Sequence, residues 1–340
     1  MAKARVLVVD DSLTMRALVA GMLEKDKDIE VVGLADGAAE ARAMVASLKP
    51  TVMTLDVEMP GMSGIDYLAE LMEKTPMPVI MFSTLTAKGA ESSIEALRLG
   101  AVDCYPKPTR ATPDELQKVV GKLTKTIKEA PARFAALHDG SGGAKVAKAA
   151  TGEPFPWNGK LVAIGADVAS TKPLFDLLSG WPVDGPPAIV IQHMRPELAD
   201  SMIAQLAEAV GPRVVEASDG LPLERGTIVV ARPGDRHVYV DQWPGGRIRL
   251  LDKPPFAGQR PSISLMLATF AKTAADQTIG VLLTNGEDGG QGVAALRAAR
   301  GFAIAPAEDG AAGLELGRGM ATQPVKPGEV RTTVLGLCRG

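Results

Sequence analysis

The chain is short of several residue types, and each shortage excludes something. Only two cysteines, Cys104 and Cys338, occur in 340 residues. They stand far apart without metal-ligand spacing, so a disulfide framework is excluded and a reducing compartment is expected. Only three histidines occur, His138, His193 and His237, which narrows the choice of a general base. Charge of one sign is also missing. The formal net charge is −3, so no strong field draws nucleic acid or anionic lipid. No apolar run approaches about 18 residues, so no membrane span is expected. Met1-Ala2-Lys3 leads straight into a strand with an acidic end and is not read as a signal peptide. A cytoplasmic location follows as an expectation. The length suggests two domains, and a hydrophobic content of 46% can supply a core for each.

What is present is a series of short apolar runs that end in polar residues. Arg5-Val6-Leu7-Val8-Val9 delivers Asp10 and Asp11, and Val52-Met53-Thr54-Leu55 delivers Asp56. Val79-Ile80-Met81-Phe82 delivers Ser83 and Thr84, and Ala101 to Pro106 leads to Lys107-Pro108. Between them lie stretches of helical period: Ser12 to Lys25, Ala38 to Leu48, Ile65 to Met72, Glu91 to Leu99 and Glu115 to Ile127. Strand and helix alternating five times predicts a parallel sheet covered on both faces, with residues 4–128 as one domain. In such a sheet the side chains at carboxyl strand ends share one crevice. That crevice would hold three carboxylates, a hydroxyl and a lysine. Three carboxylates repel unless a cation neutralises them, and hard oxygen ligands with room for water suit Mg²⁺. A carboxylate beside such a cation can attack a phosphoryl group while Lys107 neutralises the transferred charge.

Residues 129–157 are rich in Ala, Gly, Lys and Pro, with Gly140-Ser141-Gly142-Gly143 at the centre, and read as a flexible linker. Residues 158–340 repeat the α/β alternation. Strands are expected at Leu161–Ile164, Ala188–Ile191, Ile228–Ala231, Val238–Val240, Arg247–Leu251, Ile279–Leu283 and Phe302–Ala305. Helices are expected at Pro173–Leu178, Pro196–Val210, Ser262–Ala275, Gly292–Ala299 and Gly313–Ala321. Closely spaced, Gly/Pro-punctuated middle strands predict a hairpin added to a mainly parallel sheet. From 157 to 340 there are 18 basic and 19 acidic residues, which argues against a nucleic-acid-binding face. Asp167, His193 and Asp288 follow three of the strands and form a candidate cluster in which His193 is the general base.

The first set of motifs, Val8-Val9-Asp10-Asp11-Ser12, Asp56 to Gly61, Ser83-Thr84 and Lys107-Pro108, resembles a response-regulator receiver domain, a five-stranded, flavodoxin-like parallel fold. The resemblance implies that Asp56 accepts phosphate from a histidine kinase. It also implies that Asp10, Asp11 and Asp56 hold Mg²⁺, and that Ser83 and Lys107 carry the switch. Receivers usually place an aromatic three residues before the lysine; Cys104 stands there, beside Tyr105. The second set is Ile164-Gly165-Ala166, Gln192-His193-Met194, Pro233 to His237, Arg260-Pro261-Ser262 and the Asp288-Gly289 loop. It resembles the catalytic domain of chemotaxis protein-glutamate methylesterases (CheB). This implies hydrolysis of glutamate γ-methyl esters and deamidation of glutamines on chemoreceptors by a Ser-His-Asp triad, masked until the receiver is phosphorylated.

His193 matches that family's base and Asp288 its orienting acid, but Asp167 stands where the family has its serine. Ala169 and Ser170 replace glycines beside it. A carboxylate has no proton for His193 to remove, and loss of a triad nucleophile costs about 10⁴–10⁶ in rate. Asp167 is expected to pair with His193 instead. Ser170 is a substitute nucleophile to weigh, although Ser170 and Thr171 read better as helix N-caps before Lys172-Pro173. Three readings stand. One is a phosphorylation-controlled regulator whose output is binding to a kinase, a chemoreceptor or another signalling protein. Another is an active methylesterase and deamidase. The third is a phosphate sink at Asp56.

Overall fold

The computed structural model describes residues 3–84, 86–107, 113–138, 153–284, 286–307, 314–319 and 321–340, with backbone alone for 113–118 and 136–138. Pro108, the Gly140–Gly143 stretch and Asn285 lie outside these. The chain divides into two compact units, residues 1–136 and 137–340.

The first unit alternates strand and helix: β1 Ala4–Val9, α1 Leu13–Leu23, β2 Ile29–Ala35, α2 Ala38–Leu48, β3 Val52–Asp56, α3 Gly64–Lys74, β4 Val79–Ser83, α4 Ala87–Leu99, β5 Asp103–Pro106 and α5 Pro113–His138. The strands pair in parallel in the order β2-β1-β3-β4-β5. All five residues of β3 and of β4 are buried, as expected for a sheet with helices on both faces. Ser12, Ser63 and Thr86 cap α1, α3 and α4 by accepting a backbone N–H three residues on, and Gly100 closes α4 in the left-handed conformation. The chain leaves β1 towards β2 on one side and later returns to β3 on the other. The point where the order reverses, between β1 and β3, is where Asp10, Asp11 and Asp56 emerge.

Helix α5 runs eleven residues beyond Ile127, so residues 129–138 of the expected linker are helical. Pro131 sits inside the helix and lacks the N–H that would bond the Ile127 carbonyl. Around it, Ala-rich sequence and an i,i+4 pair between Glu129 and Arg133 at 2.8 Å favour the helix. The linker is short at its other end too. Phe155 is buried, its N–H donates to the Asp184 carboxylate, and its carbonyl accepts from Arg225 at 2.8 Å.

The second unit contains β6 Leu161–Asp167, α6 Thr171–Leu178, β7 Ala188–His193, α7 Ala199–Ala209, β8 Arg213–Glu216, β9 Thr227–Ala231, β10 His237–Val240, β11 Ile248–Leu251, α8 Ile263–Thr273, β12 Thr278–Leu282, α9 Gly290–Ala298, β13 Phe302–Pro306, β14 Leu314–Arg318, β15 Ala321–Val325 and α10 Val330–Leu337. Eight strands form one sheet in the order β15-β14-β13-β12-β6-β7-β9-β8. It is parallel from β13 to β8 and antiparallel through β13-β14-β15. β10 and β11 form a separate antiparallel hairpin. The core between sheet and helices includes Leu161, Ile189, Val229, Met266, Phe270 and Leu296.

The helix expected at Gly313–Ala321 is instead the β14-β15 hairpin. Leu314 and Leu316 are buried while Glu315 between them is only half-buried, a period of two that the glycines at 317 and 319 favour over a helix. β8 and α10 were not expected; each shows an apolar face too short to register as a period. Among the described residues no helix is long and apolar enough to cross a membrane.

Helices α8 and α9 pack closely because Gly292 has no side chain. A Cβ there would lie 2.7 Å from the Ser264 carbonyl oxygen and 2.8 Å from Leu267 Cβ. Alanine at this position would gain about 1 kcal/mol of helix propensity, but overpacking costs about 1–3 kcal/mol. Gly292→Ala is therefore expected to lower the unfolding temperature of the second unit by a few degrees, measured by calorimetry. An unchanged or raised temperature would show that the two helices are not in contact at this point.

Candidate functional site

In the first unit the register of β3 against β1 and β4 brings the expected residues together. Asp10, Asp11 and Asp56 each present a carboxylate oxygen, and the three lie within 4.8 Å of one another. Asp10 and Asp56 are buried and Asp11 is exposed. The Asp10 carboxylate accepts the Ser12 N–H at 2.8 Å, and the Arg16 guanidinium donates to the Asp10 carbonyl at 2.6 Å. Asp56 Oδ1 accepts from the Glu58 N–H at 3.2 Å. Lys107 Nζ lies 2.6 Å from Asp56 Oδ2 and 3.4 Å from Asp10 Oδ2.

Burial pushes the Asp56 carboxyl up to about 6, against the hydrogen bond and charge of Lys107, which pull it down. Burial also works to lower Lys107, but its hydrogen bond to Asp56 and the charges of Asp56 and Asp10 outweigh it and raise the group. The two directions pull apart, since a raised acid resists ionising and a raised lysine favours the ion pair. At neutral pH both favour the same state, an ionised Asp56 beside a protonated lysine. One ammonium cannot balance three carboxylates. Clustered hard oxygens, one of them open to water, fit a magnesium-sized cation.

Ser83, at the end of β4, is buried, and its carbonyl accepts the Lys107 N–H at 2.8 Å. Its hydroxyl lies 3.0 Å from that of Ser93 on α4. Cys104 is fully buried, and its thiol donates to the Ser93 carbonyl. Tyr105 is turned to α5, with its hydroxyl 2.8 Å from that of Thr126.

In the second unit the sheet order reverses between β6 and β12, and the strand ends beside that point carry the other cluster. Asp288, buried behind β12, accepts three hydrogen bonds at the start of α8: from Ser262 Oγ at 3.0 Å, Ile263 N–H at 2.7 Å and Ser264 N–H at 2.9 Å. The two N–H groups are orphan donors of a helix N-terminus, where a carboxylate is favoured. Asp288 Oδ2 also lies 3.6 Å from His193 Nε2. The same nitrogen is 3.0 Å from the Pro261 carbonyl, which can only accept, so it carries the proton. The other ring nitrogen, Nδ1, is then an acceptor with no protein partner among the described residues. His193 and Asp288 thus form an oriented imidazole–carboxylate pair.

Asp167 is paired with His193 across the β6-β7 ladder, but its side chain does not meet the imidazole. The expected Asp167–His193 ion pair is absent. Oδ1 accepts the Ser170 N–H at 3.0 Å and the Ser170 hydroxyl at 2.8 Å; Oδ2 accepts the Thr284 hydroxyl at 2.5 Å. Three nearby donors, two in its own turn and one after β12, outcompete one imidazole. Ser170 is fully buried, and its hydroxyl also reaches the Leu283 carbonyl. It does not cap α6 with its side chain; Asp167 does the capping, one turn earlier. Nor does Ser170 reach His193. Gln192, buried beside them, donates to the Asp167 carbonyl and, at 3.1 Å, to Thr171 Oγ1.

Sequence reasoning missed Thr284, Gln192, Ser93 and the Pro261 carbonyl. Thr284 and Gln192 lay inside segments already singled out and gave a weak signal. Ser93 and a backbone carbonyl gave none.

A five-stranded receiver-type sheet ending in Asp10, Asp11, Asp56, Ser83 and Lys107, followed by an α/β unit with a His-Asp pair at strand ends, defines a response-regulator architecture with a hydrolase-like second domain. Residues 6–121 match the response regulator receiver domain and residues 162–335 the CheB methylesterase family. A protein-glutamate methylesterase/protein-glutamine glutaminase 1 of Caulobacter vibrioides is 43% identical over 300 residues, 88% of this chain and 86% of that protein. A protein-glutamate methylesterase/protein-glutamine glutaminase of Agrobacterium fabrum is 38% identical over 302 residues, 87% of this chain and 84% of that protein. A solved CheB methylesterase catalytic domain from Thermotoga maritima is 25% identical, with a TM-score of 0.46 over 53% of this chain and 98% of that one. The chain belongs to the CheB methylesterase family and carries that family's receiver domain.

The Asp167 carboxylate ties the turn after β6 to the turn after β12. Asp167→Ala would leave the Thr284 hydroxyl and the Ser170 N–H without their acceptor, at about 1–3 kcal/mol. The unfolding temperature of the second unit is expected to fall accordingly, with Asp167→Asn, which keeps one carbonyl oxygen, falling less. Equal melting of Asp167→Ala and the wild-type chain would remove the clasp.

Proposed function

We propose that this chain is a response regulator phosphorylated on Asp56 by a histidine kinase, whose methylesterase-type domain has lost its hydrolytic nucleophile and acts by binding. Asp10, Asp11 and Asp56 would hold Mg²⁺, which when bound offsets the charge of the acids and of the incoming phosphoryl group. Asp56 attacks phosphorus through a carboxylate oxygen, and the bond to the donor's nitrogen or oxygen breaks. Lys107 compensates the charge that arrives, and the Ser83 hydroxyl is placed to donate to a phosphoryl oxygen. The partners of the output domain would be a chemoreceptor or another signalling protein, in the cytoplasm, with no role for nucleic acid.

One observation supports the reading that hydrolysis is lost. Where the triad requires a hydroxyl facing the imidazole there is a carboxylate, and both of its oxygens are bound to Ser170 and Thr284. His193 has an acid behind it but no hydroxyl proton to take. Attack by Asp167 on an ester would give an anhydride, and a negative charge in this turn opposes the oxyanion that must form. Ser170 offers no rescue: it is buried and its hydrogen is engaged.

A second reading, an active protein-glutamate methylesterase and glutaminase under receiver control, is favoured by the relatives' activity and by the oriented His193–Asp288 pair. Methanol release from methylated chemoreceptor separates the two. With the wild-type chain, before and after phosphorylation of Asp56, no release above the uncatalysed rate is expected. Asp167→Ser is expected to create turnover that His193→Ala removes. Wild-type turnover abolished by Ser170→Ala would establish the second reading. Independently, Asp56→Asn is expected to abolish phosphoryl incorporation from the kinase; retained labelling would sink the assignment of Asp56.

A further inference from the structure

The Ser83 hydroxyl has one hydrogen, and its whereabouts can be deduced. Ser93 Oγ lies 2.7 Å from the Gly89 carbonyl, one turn earlier in α4. A carbonyl cannot donate, so the Ser93 hydrogen points there. The 3.0 Å contact between the two hydroxyls therefore runs from Ser83 as donor to Ser93 as acceptor. Both residues are buried, at 5% and 1% exposure, so water does not compete strongly for either. Ser93 also accepts the Cys104 thiol at its backbone carbonyl, 3.4 Å away. It thus touches both Ser83 and the small side chain that stands where receivers usually carry a rotating aromatic. Tyr105 cannot take that place without giving up Thr126.

We infer that Ser93 is a positioning residue of the receiver: it holds the Ser83 hydroxyl hydrogen in the resting state, and phosphorylation of Asp56 must take that hydrogen from it. This rests on the reading of Asp56 as phosphoryl acceptor. The exchange breaks one hydroxyl–hydroxyl hydrogen bond and forms one from Ser83 to a phosphoryl oxygen. Ser93 keeps its own bond to Gly89 throughout, so its release leaves no unpaired donor. The registered change is a loss of contact between the end of β4 and the middle of α4, with no aromatic side chain involved.

Removing the competitor should favour the phosphorylated form. In the full-length chain with Mg²⁺, beryllofluoride, which mimics a phosphoryl group on aspartate, is titrated by calorimetry. The wild type is expected to bind and Asp56→Asn is not. Ser93→Ala is expected to bind about fivefold tighter, the worth of one ordinary hydrogen bond. In a Ser83→Ala background, Ser93→Ala is expected to change nothing, because the two residues act through one bond. Should Ser93→Ala not fold, judged by its melting curve, Ser93→Cys keeps the volume with a much weaker acceptor and is expected to shift affinity in the same direction. Equal or weaker binding by folded Ser93→Ala, or a gain that persists without the Ser83 hydroxyl, would overturn the inference while leaving Asp56 in place. No binding by the wild type, or equal binding by Asp56→Asn, would overturn both.

Discussion

Both units depend on one constraint: a parallel strand buried on both faces can place charged side chains only at its ends. The interiors of β4 and β6 are apolar and enclosed, as are those of β3 but for Thr54 and of β7 up to Gln192. Chemistry is therefore confined to Asp10, Asp56, Ser83 and Lys107 in one sheet, and to Asp167, His193 and Thr284 in the other. Where the strand order reverses, neighbouring helices diverge and leave these ends uncovered. Carboxylates gathered at such a place are costly in the resting protein. The raised Asp56 shows that burial outweighs even a lysine at 2.6 Å. A cation bound there, as the proposed function requires, would relieve that repulsion, and a ligand that favours one state in this way shifts an equilibrium.

On the proposed reading, the second unit is a site that outlasts its chemistry. Asp288 has two tasks. It stands behind His193, and it accepts three hydrogen bonds from the first turn of α8. Only the first task belongs to catalysis. Leaving those donors without an acceptor would cost stability whether or not any ester is cleaved, so the acid stays, and with it the oriented imidazole. Asp167 is likewise held by hydrogen bonds within the fold. It finds the Ser170 N–H and two hydroxyls as partners, while a pairing with His193 would satisfy one oxygen at most. The geometry near His193 is thus maintained by packing and capping, and its intactness alone says little about turnover.

Much of this was legible in the sequence, for a physical reason. Runs such as Val6 to Val9 or Ile189 to Ile191 leave no choice but a buried strand, and the residue that ends each run must surface at the crevice. The Asp10–Asp11–Asp56 cluster and the His193–Asp288 pair follow from that. What escaped was of two kinds. Leu314 to Val325 is spaced by two rather than by three or four, but two glycines and polar flanks blurred the period into a false helix. Residues 129–138 looked like linker because Ala, Gly, Lys and Pro dominate 129–157, yet alanines and the Glu129–Arg133 pair carry α5 through them. The second kind was partner choice. Nothing in the spacing tells whether Asp167 turns to His193 or to Thr284, because that depends on which donors lie within about 3 Å once β6 and β12 are paired.

On the proposed reading, loss of a nucleophile and retention of a receiver are compatible because they draw on different quantities. Turnover requires stabilisation of a transition state, and removing the attacking atom lowers it by orders of magnitude. Binding requires only that the crevice remain shaped and its polar groups satisfied. The clasp of Asp167, Ser170 and Thr284 and the capping by Asp288 secure both. A substrate-like group held at such a site would not be consumed, so occupancy would follow concentration and affinity rather than time. Under that condition the phosphorylation state of Asp56 can act as a true allosteric variable, because linkage requires the affinity of one site to respond to the other reciprocally. An enzyme that destroys its ligand never reaches that balance; a binding domain does.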